Sequence, residues 1–158
     1  MTKSQVQDYT LKITNASPTS LIVILYDLAI EYIGEAKDAF ERGDRELART
    51  SCANAGRVMG DLISSLDFSY GISFQLYRIY EFISKEVSMS VIRNDAGMLD
   101  APSRLLSSLR ESFEKLSLQD ETGPAMKNTG SVYAGLTYGK GTLNESVSYD
   151  SDNRGFTV

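Results

Sequence analysis

Asn15-Ala16-Ser17-Pro18-Thr19-Ser20-Leu21-Ile22-Val23-Ile24-Leu25-Tyr26-Asp27 is the stretch on which the fold turns. Ser17 offers a hydroxyl at an N-cap, and Pro18 suits the first helical position, where its missing N–H is one a helix leaves unpaired anyway. The pattern predicts a helix that begins at Pro18 and runs to Arg42. Within it Leu21, Leu25, Leu28, Tyr32, Ala36 and Ala39 form one apolar stripe, and Ile22, Tyr26, Ala29, Ile33 and Phe40 form a second beside it. A helix in a four-helix core uses one stripe, so the second is surplus that asks for a partner.

Downstream, Gly43-Asp44 supplies a C′ glycine for this helix and an aspartate cap for the next, which is expected to reach Leu66. Its inward positions are Leu47, Ala48, Ser51, Ala55, Val58, Leu62 and Leu66. So short a connection makes the two helices antiparallel neighbours. A break at Asp67-Phe68-Ser69-Tyr70-Gly71 precedes a third helix to Arg93, with Ile72, Leu76, Ile79, Ile83 and Val87 on one stripe and Tyr77, Tyr80 and Phe82 turned elsewhere. Asn94-Asp95 then introduces a fourth helical segment to Leu116, carrying Met98, Leu105, Leu109, Phe113 and Leu116. Pro102 interrupts it. Either this helix kinks there, the favoured reading, or a short turn over residues 95–99 hands over to a helix capped at Asp100.

Upstream, residues 1–16 are mixed and polar, with Tyr9, Leu11 and Ile13 as their main large apolar side chains, and read as an arm. Downstream of Leu118 the composition turns to glycine, serine and threonine, with Tyr133, Tyr138 and Tyr149 among them. That segment has too little apolar surface to offset its own ordering entropy, so it is expected to be mobile unless it packs on the helices. The expected architecture is therefore all-α. It is an antiparallel up-down four-helix bundle over residues 17–118, with the short arm before it and a glycine/serine/tyrosine-containing extension over residues 119–158.

Composition narrows function by exclusion. The chain of 158 residues carries a net charge of −5 and a pI near 4.8, which disfavours a phosphate-tracking surface and hence nucleic acid. No apolar run is long enough for membrane insertion, and the start has no secretory signal pattern, so a cytoplasmic protein is expected. There is no histidine and only one cysteine, Cys52. That removes the histidine-based nucleophile arrangements, the Glu-x-x-His di-iron pairs of helical bundles and any cysteine zinc cluster, so no catalytic residue, metal or cofactor is assigned.

Cys52 lies among alanines and reads as a buried structural thiol. Gly139-Lys140-Gly141-Thr142 lacks the spacing of a phosphate loop, since Gly141 separates Lys140 from Thr142 and no helix follows. The carboxylate pairs Glu31 with Glu35 and Glu81 with Glu86 sit between apolar stripes and read as wet outer faces.

The run from Ser17-Pro18 to Leu25-Tyr26-Asp27 resembles the signature of the FliS family of flagellar secretion chaperones, in which a Thr/Asn-Ala-Ser-Pro cap leads into Leu-x-x-x-Leu-Tyr-Asp. Leu62 to Leu66-Asp67 is similar to the family's Leu-x-x-x-Leu-Asp, and Leu76-Tyr77-x-x-Tyr80 to its Leu-Tyr-x-x-Tyr. Leu105-Leu106-x-x-Leu109-Arg110-Glu111-x-Phe113 looks like its Leu-Arg-(Asp/Glu)-x-Trp ending, with Phe113 for the usual tryptophan. Leu28 stands where glycine is common. The likeness covers residues 5–117 and leaves the extension unmatched.

The resemblance implies a non-enzymatic export chaperone. Its outer grooves would take the disordered C-terminal segment of flagellin, prevent premature polymerisation and support delivery to the flagellar type III export apparatus, with an export-gate component as a further partner. A monomer or weak homodimer is expected. A helical adaptor or regulator of another secretion system remains the alternative. Combined with the surplus stripes, the resemblance places Ile22, Tyr26, Ala29 and Ile33 on one groove wall and Tyr77 and Tyr80 on the opposite side, with Tyr9 and Ile13 of the arm folding over the groove in the free protein.

Overall fold

A computed structural model describes residues 1–119 of the chain. Every regular element there is helical: α1 (Lys3–Asn15), α2 (Pro18–Glu41), α3 (Arg45–Ser64), α4 (Gly71–Arg93), a 3-10 turn (Ala96–Leu99) and α5 (Asp100–Ser117). The proposed extension over residues 119–158, apart from Gln119, lies outside the described residues.

Local chemistry sets the helix ends. Ser17 caps α2 through its hydroxyl, which accepts from the Ser20 N–H at 3.2 Å, and Pro18 opens the helix. At the α2–α3 turn Gly43 has a φ of 74°, the left-handed geometry that favours glycine, and the Asp44 carboxylate accepts from the Leu47 N–H at 3.0 Å. Asn94 closes α4 in the left-handed region with a φ of 53°, and Asp95 caps the 3-10 turn by accepting from Gly97 N–H.

The kink expected at Pro102 does not form; the handover through a short turn does. Pro102 falls in the first turn of α5, where backbone N–H groups have no intrahelical acceptor, so the proline costs the helix no bond. The residue before the helix is Leu99 rather than Asp100, and it gives no side-chain cap. Asp100 pairs instead with Lys37 of α2 at 2.6 Å.

One core serves the four long helices: Tyr26, Ala29, Ile33 and Ala36 of α2 meet Ala55, Met59 and Leu62 of α3, Tyr80, Ile83 and Val87 of α4, and Leu106 of α5, with Leu99 at the turn. The alanines of α2 and α3 are small enough to bring these two helices into the most extensive contact in the fold. Of the inward positions expected on α5, Leu105, Leu109 and Phe113 pack at the edge of the core, whereas Leu116 is exposed and Leu106 takes the centre. Ile72, expected inside, is exposed at the start of α4.

Residues 3–15, expected only as a polar arm, form a helix. Thr2 and Gln5 make a reciprocal capping box, with the Thr2 hydroxyl accepting from the Gln5 N–H and the Gln5 side chain accepting from the Thr2 N–H at 2.7 Å. No side chain of α1 is buried. It lies along α2 through polar contacts: Gln5 Nε2 donates to Glu31 at 2.7 Å, and Tyr9 donates its hydroxyl to the same carboxylate at 2.8 Å. The Met1 amine reaches Glu35 at 3.2 Å. Partners descend along α2 as numbers rise along α1, so the two helices run antiparallel.

Candidate partner-binding surface

Helix α4 touches the 3-10 turn that precedes α5 more than it touches α5 itself. At the far end, where α4 begins and α5 finishes, the two leave an open trough of about 440 Å³. Pro18 and Ile22 of α2 form one side, Leu66 and Asp67 after α3 close the end, and Tyr70, Ile72, Ser73 and Leu76 supply the α4 wall, facing Phe113 of α5. Its surface is overwhelmingly apolar, and Asp67 is its one ionisable carboxylate. Ile72 and Tyr70 at the rim are 60% and 65% exposed.

Beneath the trough lie two buried tyrosines. The hydroxyls of Tyr26 and Tyr80 are 2.5 Å apart, their rings 6.3 Å apart and tilted by 54°. Phe113 stands edge-on to Tyr26, with ring centroids 5.5 Å apart. Burial raises the pKa of both phenols above the ordinary tyrosine value, and for Tyr26 the neighbouring Tyr80 adds to the rise. Both are neutral hydrogen-bonding groups at physiological pH.

Beside the trough, Phe68 in the α3–α4 loop contacts Phe74 and Tyr77 of α4 at centroid distances of 5.1 and 5.9 Å. All three rings are exposed, as is Phe82 farther along the same helix. Among the described residues no other element caps these rings, so α4 carries exposed aromatic surface beside the trough as well as within it.

The structure corrects part of the groove expected from sequence. Ile22 is half-buried and lines the trough, Tyr80 lines its floor though only 1% exposed, and Tyr77 is exposed on α4, but Tyr26, Ala29 and Ile33 face the interior. The reason is that α2 has neighbours on two sides, α3 and α5, so its Tyr26–Ala29–Ile33–Ala36 line becomes the core. Tyr9 and Ile13 are half-buried on α1, and Tyr9 bonds to Glu31 of α2. Ile72, Phe68 and Phe74 were not among the expected binding residues; the signal for them was the aromatic density around the Asp67–Gly71 break.

Electrostatics tie the surrounding helices together. Arg110 of α5 donates through Nε to the Asp27 carboxylate of α2 and through Nη1 to Glu114 at 2.9 Å. The hydrogen bond to Asp27 raises the guanidinium pKa further. Glu35 accepts from the Ser51 hydroxyl at 2.7 Å, and that bond holds its carboxyl below the usual range. These carboxylates, Glu31 and Glu35 included, are structural acceptors rather than wet ornaments of an outer face.

Cys52 is 3% exposed, and burial pushes its thiol up, which keeps it protonated. Among the described residues no cluster of three or more histidine, cysteine or acidic side chains could hold a metal, and no helix is long and apolar enough to cross a membrane.

Residues 1–120 match the family model described as Flagellar protein FliS. The chain belongs to the FliS family. The FliS match takes in α1 as well as the four long helices and the whole trough. Among similar curated proteins, the flagellar secretion chaperone FliS of Bacillus subtilis is 24% identical over 109 residues, covering 69% of this chain and 81% of its own length. FliS of Salmonella typhimurium is 27% identical over 108 residues, 66% of this chain and 80% of its own. FliSB of Pseudomonas aeruginosa is 26% identical over 108 residues, 67% and 86% respectively. The FliS family is one of flagellar secretion chaperones, and this chain adds to the FliS region an extension beyond residue 120.

Proposed function

We propose that the chain is a non-enzymatic export chaperone of the cytoplasm that binds the disordered C-terminal segment of flagellin, prevents its premature polymerisation and supports its delivery to the flagellar type III export apparatus. Its scaffold is the four-helix bundle of α2–α5, and the client segment lies as added helices in the trough and along α4. An export-gate component is a second partner of the loaded complex, and the chaperone itself is a monomer or weak homodimer.

The observation that carries this reading is the open apolar trough between Ile22, Leu66, Ile72 and Phe113, with Phe74, Tyr77 and Phe82 exposed elsewhere on α4. Large apolar side chains gathered in an uncovered concave strip mark a surface for another chain, and an amphipathic helix laid in a groove is the binding mode such a strip suits. Ordering a disordered segment is unfavourable, so on the order of 1,000–3,000 Å² must be buried to compensate, more than the trough alone offers. The exposed side of α4 supplies the remainder.

Each part of the expected site has a distinct task. Ile22 and Tyr77 contact the client directly. Tyr80, Tyr26, Ala29 and Ile33 act from below by fixing the distance between α2 and α4. Tyr9 and Ile13 belong to a helix with no buried side chain, which lets it give way to client without breaking a core.

Co-expression with a candidate flagellin, intact and lacking its C-terminal segment, tests the reading. Capture of the intact form and loss of the shortened one is the expected result; equal capture of both overturns the choice of segment, and capture of neither overturns the partner.

A further inference from the structure

We propose that the chain's own C-terminal extension, through the stretch around Val132, Tyr133, Leu136 and Tyr138, occupies the α2–α4–α5 trough of the same molecule when no client is bound. The competition with client rests on the trough being the client site; the occupancy itself does not.

Position favours this occupant. Phe113, on the trough wall, precedes Gln119 by six residues, fewer than two helical turns and about 9 Å of rise. The chain therefore leaves the described region beside the trough. The residues between Gln119 and Leu136 can span roughly 55 Å when extended, more than the roughly 35 Å length of α4, so reach sets no limit. A tether of that length containing Gly123 and Gly130 holds its end at an effective concentration of the order of millimolar. Even a weak intrinsic affinity then fills the site.

Chemistry favours it as well. Residues 128–139, Asn-Thr-Gly-Ser-Val-Tyr-Ala-Gly-Leu-Thr-Tyr-Gly, carry no charge, while the flanking sequence has Asp120, Glu121 and Lys127 on one side and Lys140, Glu145 and Asp150 on the other. The trough wall is likewise almost free of charge. Two tyrosines, a valine and a leucine are too few to build a core of their own. They suit a trough that offers Ile72, Leu76 and Phe113 to apolar groups and the Ser73 region to a phenol. Gly135 and Gly139 let the backbone come close. Moreover, the FliS match ends at residue 120, so this occupant is an addition carried by the chain rather than a part of the family fold.

The chain has no tryptophan, which makes a single introduced one a clean reporter. The full chain carrying Leu136→Trp is measured without client, beside a synthetic peptide of residues 128–143 with the same substitution. Emission shifted to the blue of the peptide is expected, unchanged on dilution, and returned to the peptide's position by adding Ile72→Asp. Ile72 is 60% exposed, so this change leaves the helices intact, as circular dichroism verifies. Emission identical to the peptide's overturns the proposal, as does a blue shift that survives Ile72→Asp. A blue shift lost on dilution places the extension on a second copy and overturns it too. None of these outcomes involves flagellin, so failure here leaves the co-expression test of client binding untouched.

Discussion

The hydroxyl of Tyr26 on α2 lies 2.5 Å from that of Tyr80 on α4, and each is the other's buried partner across the bundle. This bond spans the two helices that flank the trough. It fixes how far α4 stands from α2 at the level where Phe113 leans on the Tyr26 ring. Removing one hydroxyl strands the other in an apolar interior, which is more damaging than removing both.

Tyr80→Phe therefore lowers stability by about 1–3 kcal/mol, the range for a buried polar group left unpaired. The double substitution Tyr26→Phe with Tyr80→Phe is less destabilised than the sum of the two single changes. Urea unfolding of the four proteins checks this; strictly additive losses would contradict the pairing.

The same pair predicts an alkaline limit. Both phenols have folded-state values raised above the ordinary value of about 10, so the protonated form is favoured in the folded chain. Their contribution is complete below about pH 10 and is lost progressively as pH rises above it, because the unfolded chain releases these protons first. Tyr9 is raised in the same direction by burial and by its bond to Glu31, and adds to the slope. The double phenylalanine variant loses stability between pH 9 and 11 less steeply than the parent, as thermal melts across that window will show.

Glu31 is the hinge of α1. It accepts from both Gln5 and Tyr9, and α1 contributes no buried side chain. Glu31→Ala is expected to bring amide exchange over residues 3–15 to the rate of an unprotected chain while leaving α3 and α4 protected. Retained protection over residues 3–15 would show that α1 is held by something other than these hydrogen bonds.

Much of the fold is legible in the sequence because its signals are local. Ser17-Pro18, Gly43-Asp44 and Asn94-Asp95 each place a helix end by cap chemistry that no tertiary contact overrides. Pro102 is legible only as a choice, since the same residue can kink a helix or open one, and the geometry of the preceding Ala96–Leu99 turn decides it. Helix α1 has a readable sign in Thr2 and Gln5, three apart. Its docking has none, because it rests on polar contacts to Glu31 and Glu35 that follow no apolar period.

The candidate site is legible in kind but not in register. Two stripes on α2 show surplus apolar surface, yet which stripe turns inward depends on where α3 and α5 sit, and that choice sent Tyr26, Ala29 and Ile33 to the core. Ile72 shows the converse. Its helical spacing with Leu76 and Ile83 points inward, but at the first turn of α4 no helix of the described residues covers it.

Binding of a flagellin C-terminal segment to the trough is tested most directly by titrating a labelled peptide of that segment into the full chain, into Ile72→Asp and into Ile92→Asp. Ile72 stands on the trough wall and Ile92 is 74% exposed at the opposite end of α4, so the pair separates place from mere apolar exposure. Ile72→Asp is expected to weaken binding by about tenfold or more, a change of about 1.4 kcal/mol, while Ile92→Asp binds as the parent does. Equal affinity of all three proteins for the peptide would contradict it.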